Sequence, residues 1–274
     1  QKTLEGNQAV VKARKDLAPY WDECLLGVKR QYSGLPSGEC IHGAENGHPK
    51  VLLWGDSHAA HLMPALMEVY PDVAVYQLTM AGCPPVRGYE LQVPMASKDC
   101  PDFNQRVLQE IPELKKSGLQ GVVISARWQM YLRQRSIAVS ENQGTAFSDP
   151  HKLAQAREAM QMSFDETLTS LERAGVRVLV LPPNPETIYS PPHCIGLGRG
   201  AHCNVPREVS EAFVRDATTA LAEVVARHPN TRLAQLMDFF CNAETCYVMR
   251  NGAILYTDEN HISATAARDL GRFL

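Results

Sequence analysis

The stretch V-L-L-W-G-D-S-H, residues Val51–His58, decides how this chain is read. Its four leading residues, Val51–Trp54, are apolar without alternation, as expected of a strand buried on both faces of a parallel sheet. Gly55 permits a sharp turn, and the residues after it start a helix. Ser57 is thereby lifted above the carboxyl edge of the sheet, where open α/β folds bind ligands. Its backbone N–H then lies near a helix N-terminus, where developing negative charge is stabilised. Nucleophile and oxyanion donor would be one residue. A bare G-D-S also occurs as a loop with a helix cap, since Asp and Ser are favoured caps, and Asp56 suits that structural part.

Working outward, further short apolar runs predict strands at Val73–Leu78, Gly121–Ala126, Val176–Leu181 and Arg232–Met237, making five parallel strands. Helix-period segments lie between them at 59–70, 102–117, 150–174 and 206–228. This alternation predicts an α/β/α sandwich of flavodoxin-like layout. The third helix is the best marked: Asp149 can cap it, Pro150 suits its first turn, Leu153, Met160, Phe164, Leu168 and Leu171 share a face, and Gly175 ends it. Residues 79–101 and 182–205 are rich in Pro, Gly and Cys, and read as long ordered loops over the substrate cleft. Residues 1–49 read as a linker and stapled lead-in, and 50–274 as the catalytic domain.

The chain has 274 residues, 45% of them apolar, and a formal net charge of -3 from 27 basic and 30 acidic side chains. Without a run of either sign it has no electrostatic footprint for nucleic acid, which is dropped as a partner. No window approaches the roughly 18 uninterrupted apolar residues of a membrane span. The start at Gln1 rather than Met suggests an excised domain or processed chain. The eight cysteines fall in neighbouring twos: Cys24 and Cys40, Cys83 and Cys100, Cys194 and Cys203, Cys241 and Cys246. Short loops are the cheapest to close, so nearest-neighbour disulfides are the working pairing, although eight cysteines allow about 105 connectivities and eight reduced thiols stay open. Disulfides would place the chain in an oxidising compartment. No C-x2-C spacing occurs, and no metal or other cofactor is expected.

At the far end, L-Y-T-D-E-N-H-I-S (Leu255–Ser263) sets Asp258 three residues before His261, just ahead of a helix that Ser263 can cap. A serine hydroxyl needs a base to take its proton, and the imidazole needs a carboxylate to fix its tautomer. One loop supplies both partners. His58 and His61 flank Ser57 with H-x-x-H spacing and read as cleft lining, while Trp128, Tyr131 and Tyr189 could stack on a sugar ring or simply pack.

An early strand followed by G-D-S-H, five α/β units and a late D-x-x-H before the last helix together resemble the SGNH/GDSL hydrolase superfamily over roughly residues 50–274. The D-E-N-H-I-S element, with T-M-A-G-C-P-P (Thr79–Pro85) and C-N-A-E-T-C (Cys241–Cys246), is similar to the SGNH domain at the carboxyl end of acyltransferase family 3 membrane proteins. The resemblance implies a catalytic triad of Ser57, His261 and Asp258, and an oxyanion hole built from the N–H groups of Ser57 and Gly82. Many superfamily members carry an asparagine in G-x-N-D after the third strand, but this chain reads I-S-A-R-W-Q-M (Ile124–Met130). Arg127 or Trp128 could line that corner, or Asn104 could reach it from elsewhere. The resemblance further implies a periplasmic domain of a bacterial inner-membrane protein. A fused amino-terminal membrane domain would deliver the acetyl donor, and a polysaccharide of O-antigen type would accept the group. Alternatives are a carbohydrate acetylesterase with the same triad, a non-catalytic glycan-binding module and a secreted lipase or thioesterase.

Overall fold

The computed structural model describes residues 2–44, 48–88, 98–133 and 150–274. The main sheet contains β1 (Leu25–Leu26), β2 (Ile41–His42), β3 (Val51–Gly55), β4 (Val75–Met80), β5 (Gly121–Ser125) and β6 (Arg177–Leu181). After β7 (Val205–Pro206), which lies outside it, β8 (Thr231–Leu233) completes it. The five strands expected from sequence run parallel in the order β4-β3-β5-β6-β8, a flavodoxin-like order with the first strand second from the edge. The lead-in adds two short strands beside β4: β1 runs parallel to its last residues, and β2 runs antiparallel to its first. Leu25–Leu26 and Ile41–His42 of the lead-in are thus built into the sheet.

Alternate residues of the strands enter two cores. Leu52, Trp54, Leu78, Val122, Ile124, Val178 and Val180 meet the helices Cys100–Lys116, Pro150–Arg173 and Arg207–Val225. Val51, Leu53, Val75 and Val123 meet Met63–Val69 and Ala264–Phe273 on the other face. Burial on both faces is the reason these strands show no polar alternation.

Helix Pro150–Arg173 starts at the expected proline and buries Met160, Phe164, Leu168 and Leu171; Asp149 and the side chain of Leu153 lie outside the described residues. The helix expected at 59–70 is two pieces, Ser57–Ala60 and Met63–Val69, because Pro64 lacks the N–H needed to continue the first and suits the first turn of the second. The strand expected at Arg232–Met237 ends early. Ala234 N–H still donates to Val180 O at 2.9 Å, but Leu236 then turns helical and Met237–Phe240 buries Phe239 and Phe240.

All four nearest-neighbour cysteine pairs are closed as disulfides: Cys24–Cys40, Cys83–Cys100, Cys194–Cys203 and Cys241–Cys246. The first two close segments of 16 and 17 residues and so remove the most freedom from the unfolded chain, about 3 kcal/mol each in the loop-entropy account. Cys24–Cys40 joins the ends of the segment bearing β1 to the start of β2. Cys83–Cys100 ties the loop after β4 to the helix that follows it.

Candidate active site

The turn after β3 is forced by contact. A Cβ on Gly55 would lie 1.8 Å from Ser125 O and 2.9 Å from the Ala59 Cβ, so only glycine lets β3 and β5 stay paired where the chain leaves the sheet. Asp56 then caps the short helix. Its Oδ1 accepts from His58 N–H at 2.7 Å, and its Oδ2 accepts from Arg127 N–H at 3.0 Å and from the Tyr131 hydroxyl. Burial pushes this carboxyl above its ordinary range, against the lowering effect of those three bonds. Asp56 thus joins the turns after β3 and β5, and Ser57 is held at the seam between them.

The partner loop is organised by Asp258. Its Oδ1 accepts from the N–H groups of Asn260 at 2.9 Å and His261 at 2.7 Å, closing the loop on itself, while Oδ2 meets His261 Nδ1 at 2.6 Å. His261 Nε2 lies 2.8 Å from Ser57 Oγ. Burial raises Asp258, but the hydrogen bond and charge of His261 and the two backbone N–H groups outweigh it, holding the carboxyl well below the usual carboxylate range. The ionised carboxylate accepts the Nδ1 proton, which leaves Nε2 with its lone pair toward the serine. Ser263 caps the final helix as expected, accepting from Ala266 N–H at 3.1 Å.

Several supports of this loop went unrecognised in the sequence. Thr187 donates through its N–H and its hydroxyl to Glu259 O at 2.9 and 3.0 Å, and Asn184 Nδ2 donates to Asn260 O at 3.0 Å. Segment 182–205, expected to cover the cleft, therefore supports the histidine loop from beneath. Trp21, from the lead-in, sets its ring edge-on to His261 with centroids 5.5 Å apart. Each of these is a polar or aromatic residue in an irregular segment, with no local spacing to mark it.

Ser57 and His261 open into a cavity of about 520 Å³. The lead-in supplies one wall with Trp21, Leu25 and Tyr32, Gly82 and Asp99 supply another, and Arg127 with Met130 a third. Gly82 adopts φ +66°, a left-handed turn that suits glycine. Among the described residues neither its N–H nor that of Ser57 is given to an acceptor. Arg127 thus lines the cleft, but Asn104 and Trp128 do not. Asn104 is 1% exposed and fully engaged: Oδ1 accepts from Trp54 Nε1 at 3.0 Å, and Nδ2 donates to Pro84 O and Val86 O at 2.8 and 2.9 Å. Trp128 is buried against Phe164 and donates to Leu181 O at 3.0 Å.

His58 and His61 also depart from the cleft-lining expectation. They are 1% and 2% exposed and pack behind His261, with ring centroids 5.0 and 5.9 Å from it. His58 Nδ1 lies 3.1 Å from Asn184 Oδ1, and its Nε2 lies 2.9 Å from Asn260 Oδ1. Among the described residues no cluster of His, Cys, Asp or Glu could hold a metal ion.

Desolvation, with the charges of neighbouring histidines, holds both His58 and His61 well below the ordinary histidine range. Burial likewise lowers His42, stacked on Tyr20, to about 4. An unfolded histidine takes up its proton near pH 6.5, whereas these three stay neutral in the fold. Stability is therefore independent of them above that pH. It is lost as pH falls, by about 1.4 kcal/mol per pH unit for each, until His42 charges in the folded state near pH 4. Urea melts at pH 7, 6 and 5 should show the midpoint dropping mainly below pH 6.5. A midpoint constant over that range would mean that the histidines are solvated.

The model of the SGNH domain (fused to AT3 domains) matches residues 23–274. The chain belongs to this family. The match begins inside the lead-in, so the SGNH domain includes β1, β2 and most of the Trp21-side wall of the cavity. Such domains are typically esterases or acyltransferases, and the fused AT3 domain is a membrane acyltransferase. Among the described residues of this SGNH domain, no helix is long and apolar enough to cross a membrane. Among solved structures, a Streptococcus pneumonia protein described as a platelet activating factor is 11% identical, with a TM-score of 0.44 over 98% of this chain and 90% of that one. TesA is 15% identical, with a TM-score of 0.40 over 81% of this chain and 93% of that one. No curated protein sequence matches the chain.

Proposed function

We propose that this SGNH domain is a serine-dependent O-acetyltransferase. In this reading it takes an acetyl group onto Ser57 and passes it to a sugar hydroxyl of a cell-envelope polysaccharide of O-antigen type. It works in the periplasm as part of an inner-membrane protein whose amino-terminal AT3 domain delivers the acetyl group. The observation that carries the reading is the unbroken chain Asp258–His261–Ser57, with contacts of 2.6 and 2.8 Å, whose last two members line one cavity. Family membership and four disulfides, which persist in oxidising compartments, support the setting.

The chemistry follows from the geometry. As Ser57 Oγ bonds to the acetyl carbonyl carbon, its proton passes to His261 Nε2, and Asp258 stabilises the resulting imidazolium. The carbonyl electrons move to oxygen, where the uncommitted N–H groups of Ser57 and Gly82 hold the charge. The donor oxygen leaves with the proton from His261, so an acetyl-serine remains and the base is restored. A sugar hydroxyl then attacks the acetyl-serine by the same steps, its proton going to His261 and on to Ser57.

Transfer and hydrolysis share the acetyl-serine, so the acceptor decides between them. The purified chain is incubated with p-nitrophenyl acetate and an O-antigen oligosaccharide, and acetylated sugar is compared with free acetate. Acetylated sugar should rise with acceptor concentration. Free acetate alone at every concentration would replace this reading with that of an acetylesterase.

A further inference from the structure

The oxyanion site described above has two backbone donors, and the side chains Arg127, Trp128 and Asn104 were the candidates for a third. Trp128 and Asn104 spend their polar hydrogens in the core. Arg127 is placed differently. Its side chain is 14% exposed and lines the cavity together with Ser57 and Gly82. One edge of the guanidinium is clamped by Glu186, with Nε donating to Oε1 at 2.6 Å and Nη2 to Oε2 at 2.8 Å. That carboxylate is itself fully buried and also accepts from Gln129 Nε2 at 2.6 Å. The Arg127 backbone is pinned as well, since its N–H donates to Asp56, the residue before Ser57.

One nitrogen remains uncommitted. Among the described residues Nη1 meets only the Met130 sulfur, at 3.6 Å, and Met130 lines the same cavity. Sulfur is a weak acceptor, so Nη1 keeps donor capacity that nothing strong among the described residues takes up. Stability does not explain the arrangement, because a buried ion pair generally gains little over apolar packing of the same volume. A rigid guanidinium with one end uncommitted, lining the cavity that holds Ser57, is, however, suited to an anionic transition state.

We propose that Arg127, through Nη1, is a third donor to the oxyanion formed at Ser57, and that Glu186 is the positioning residue that aims it. The inference rests on the acetyl-serine reading above. When the Ser57 Oγ–carbon bond forms, the electron pair of the carbonyl moves onto its oxygen and the serine proton goes to His261. Arg127 gives up no proton; its charge is matched to the oxyanion and released when the carbonyl re-forms. An interaction made mainly in the transition state appears in kcat and leaves KM nearly unchanged.

The test uses the 274-residue chain and the neutral ester p-nitrophenyl acetate. Arg127→Ala should lower kcat by about 10²–10³-fold with KM within about threefold. Added guanidinium, at concentrations too low to denature, should recover part of that loss, because Glu186 remains to bind it. Should the loss of the Arg127 charge beside Glu186 prevent folding, the double variant Arg127→Ala/Glu186→Ala removes both charges and should show the same fall in kcat. Three results overturn the proposal: a kcat within threefold of the parent in the folded variants, a change confined to KM, or a loss in folded Arg127→Ala that guanidinium does not touch. Ser57→Ala is measured alongside. If it is inactive while the Arg127 variants turn over normally, only Arg127 loses its role; if it stays active, the acetyl-serine reading itself fails.

Discussion

Ser57→Ala is expected to lower acyl transfer by about 10⁴-fold or more, with a melting temperature within about 2 °C of the parent. Among the described residues the Ser57 hydroxyl meets His261 Nε2, and Ser57 lines the cavity. The helix cap is made by Asp56, and the Ser57 N–H survives the substitution, so the turn has no reason to move. Asp258→Asn should approach the same loss, about 10⁴-fold, for a different reason: an amide nitrogen in place of Oδ2 favours the wrong imidazole tautomer. Rates of p-nitrophenol release, with mass spectrometry for an acetylated Ser57 peptide, check both. An acetyl group on Ser57 of the parent and none on the alanine variant is the expected pattern. Undiminished turnover by the alanine variant would leave the site without its nucleophile.

Gly55→Ala is expected to be the most damaging single substitution in the fold, costing on the order of 4 kcal/mol or more. The added methyl would lie 1.8 Å from a carbonyl oxygen of β5, a backbone atom in the middle of the sheet. Neither strand can yield, because β3 is paired on both sides and buried on both faces. The backbone at this residue, with φ +155°, is a further strain for any residue with a side chain. A thermal melt should show a drop of about 10 °C or more, or no folded protein. The contrast with Ser57→Ala is informative: two positions apart, one substitution should remove the chemistry and keep the fold, the other should damage the fold itself. A Gly55→Ala protein melting with the parent would mean that β3 and β5 separate at this point.

Ser57, Asp258 and His261 were legible because each is marked by local pattern: a strand, glycine and helix start around the serine, and a spacing of three before a capped helix for the other two. The same holds for β3, β5 and β6, whose apolar runs have the length and lack of alternation of doubly buried strands. Trp128 and Arg127 show where local pattern stops. They are neighbours at a helix start, and only the direction in which that helix leaves β5 sends one ring into the core and the other side chain to the cleft. Asn104 is similar, since nothing within its own helix predicts that Trp54, fifty residues earlier, takes its carbonyl. His58 and His61 follow the serine closely in sequence, but the loop bearing Asn260 buries them.

Sequence alone determined the parallel α/β architecture, the order of its units and the cysteine pairs worth testing, because periodicity and short-range spacing encode these, and it marked the three residues proposed for the centre of the site. The tertiary structure alone decided that Trp21 and the lead-in wall the cavity, that Glu186 and Asn184 support its parts from below, and that Arg127 is the side chain left with hydrogens to offer. The physical reason is that these are contacts between residues that lie from 57 positions apart (Gln129 to Glu186) to 240 positions apart (Trp21 to His261), and only the packing of sheet, helices and loops sets which side chains come within reach of one another.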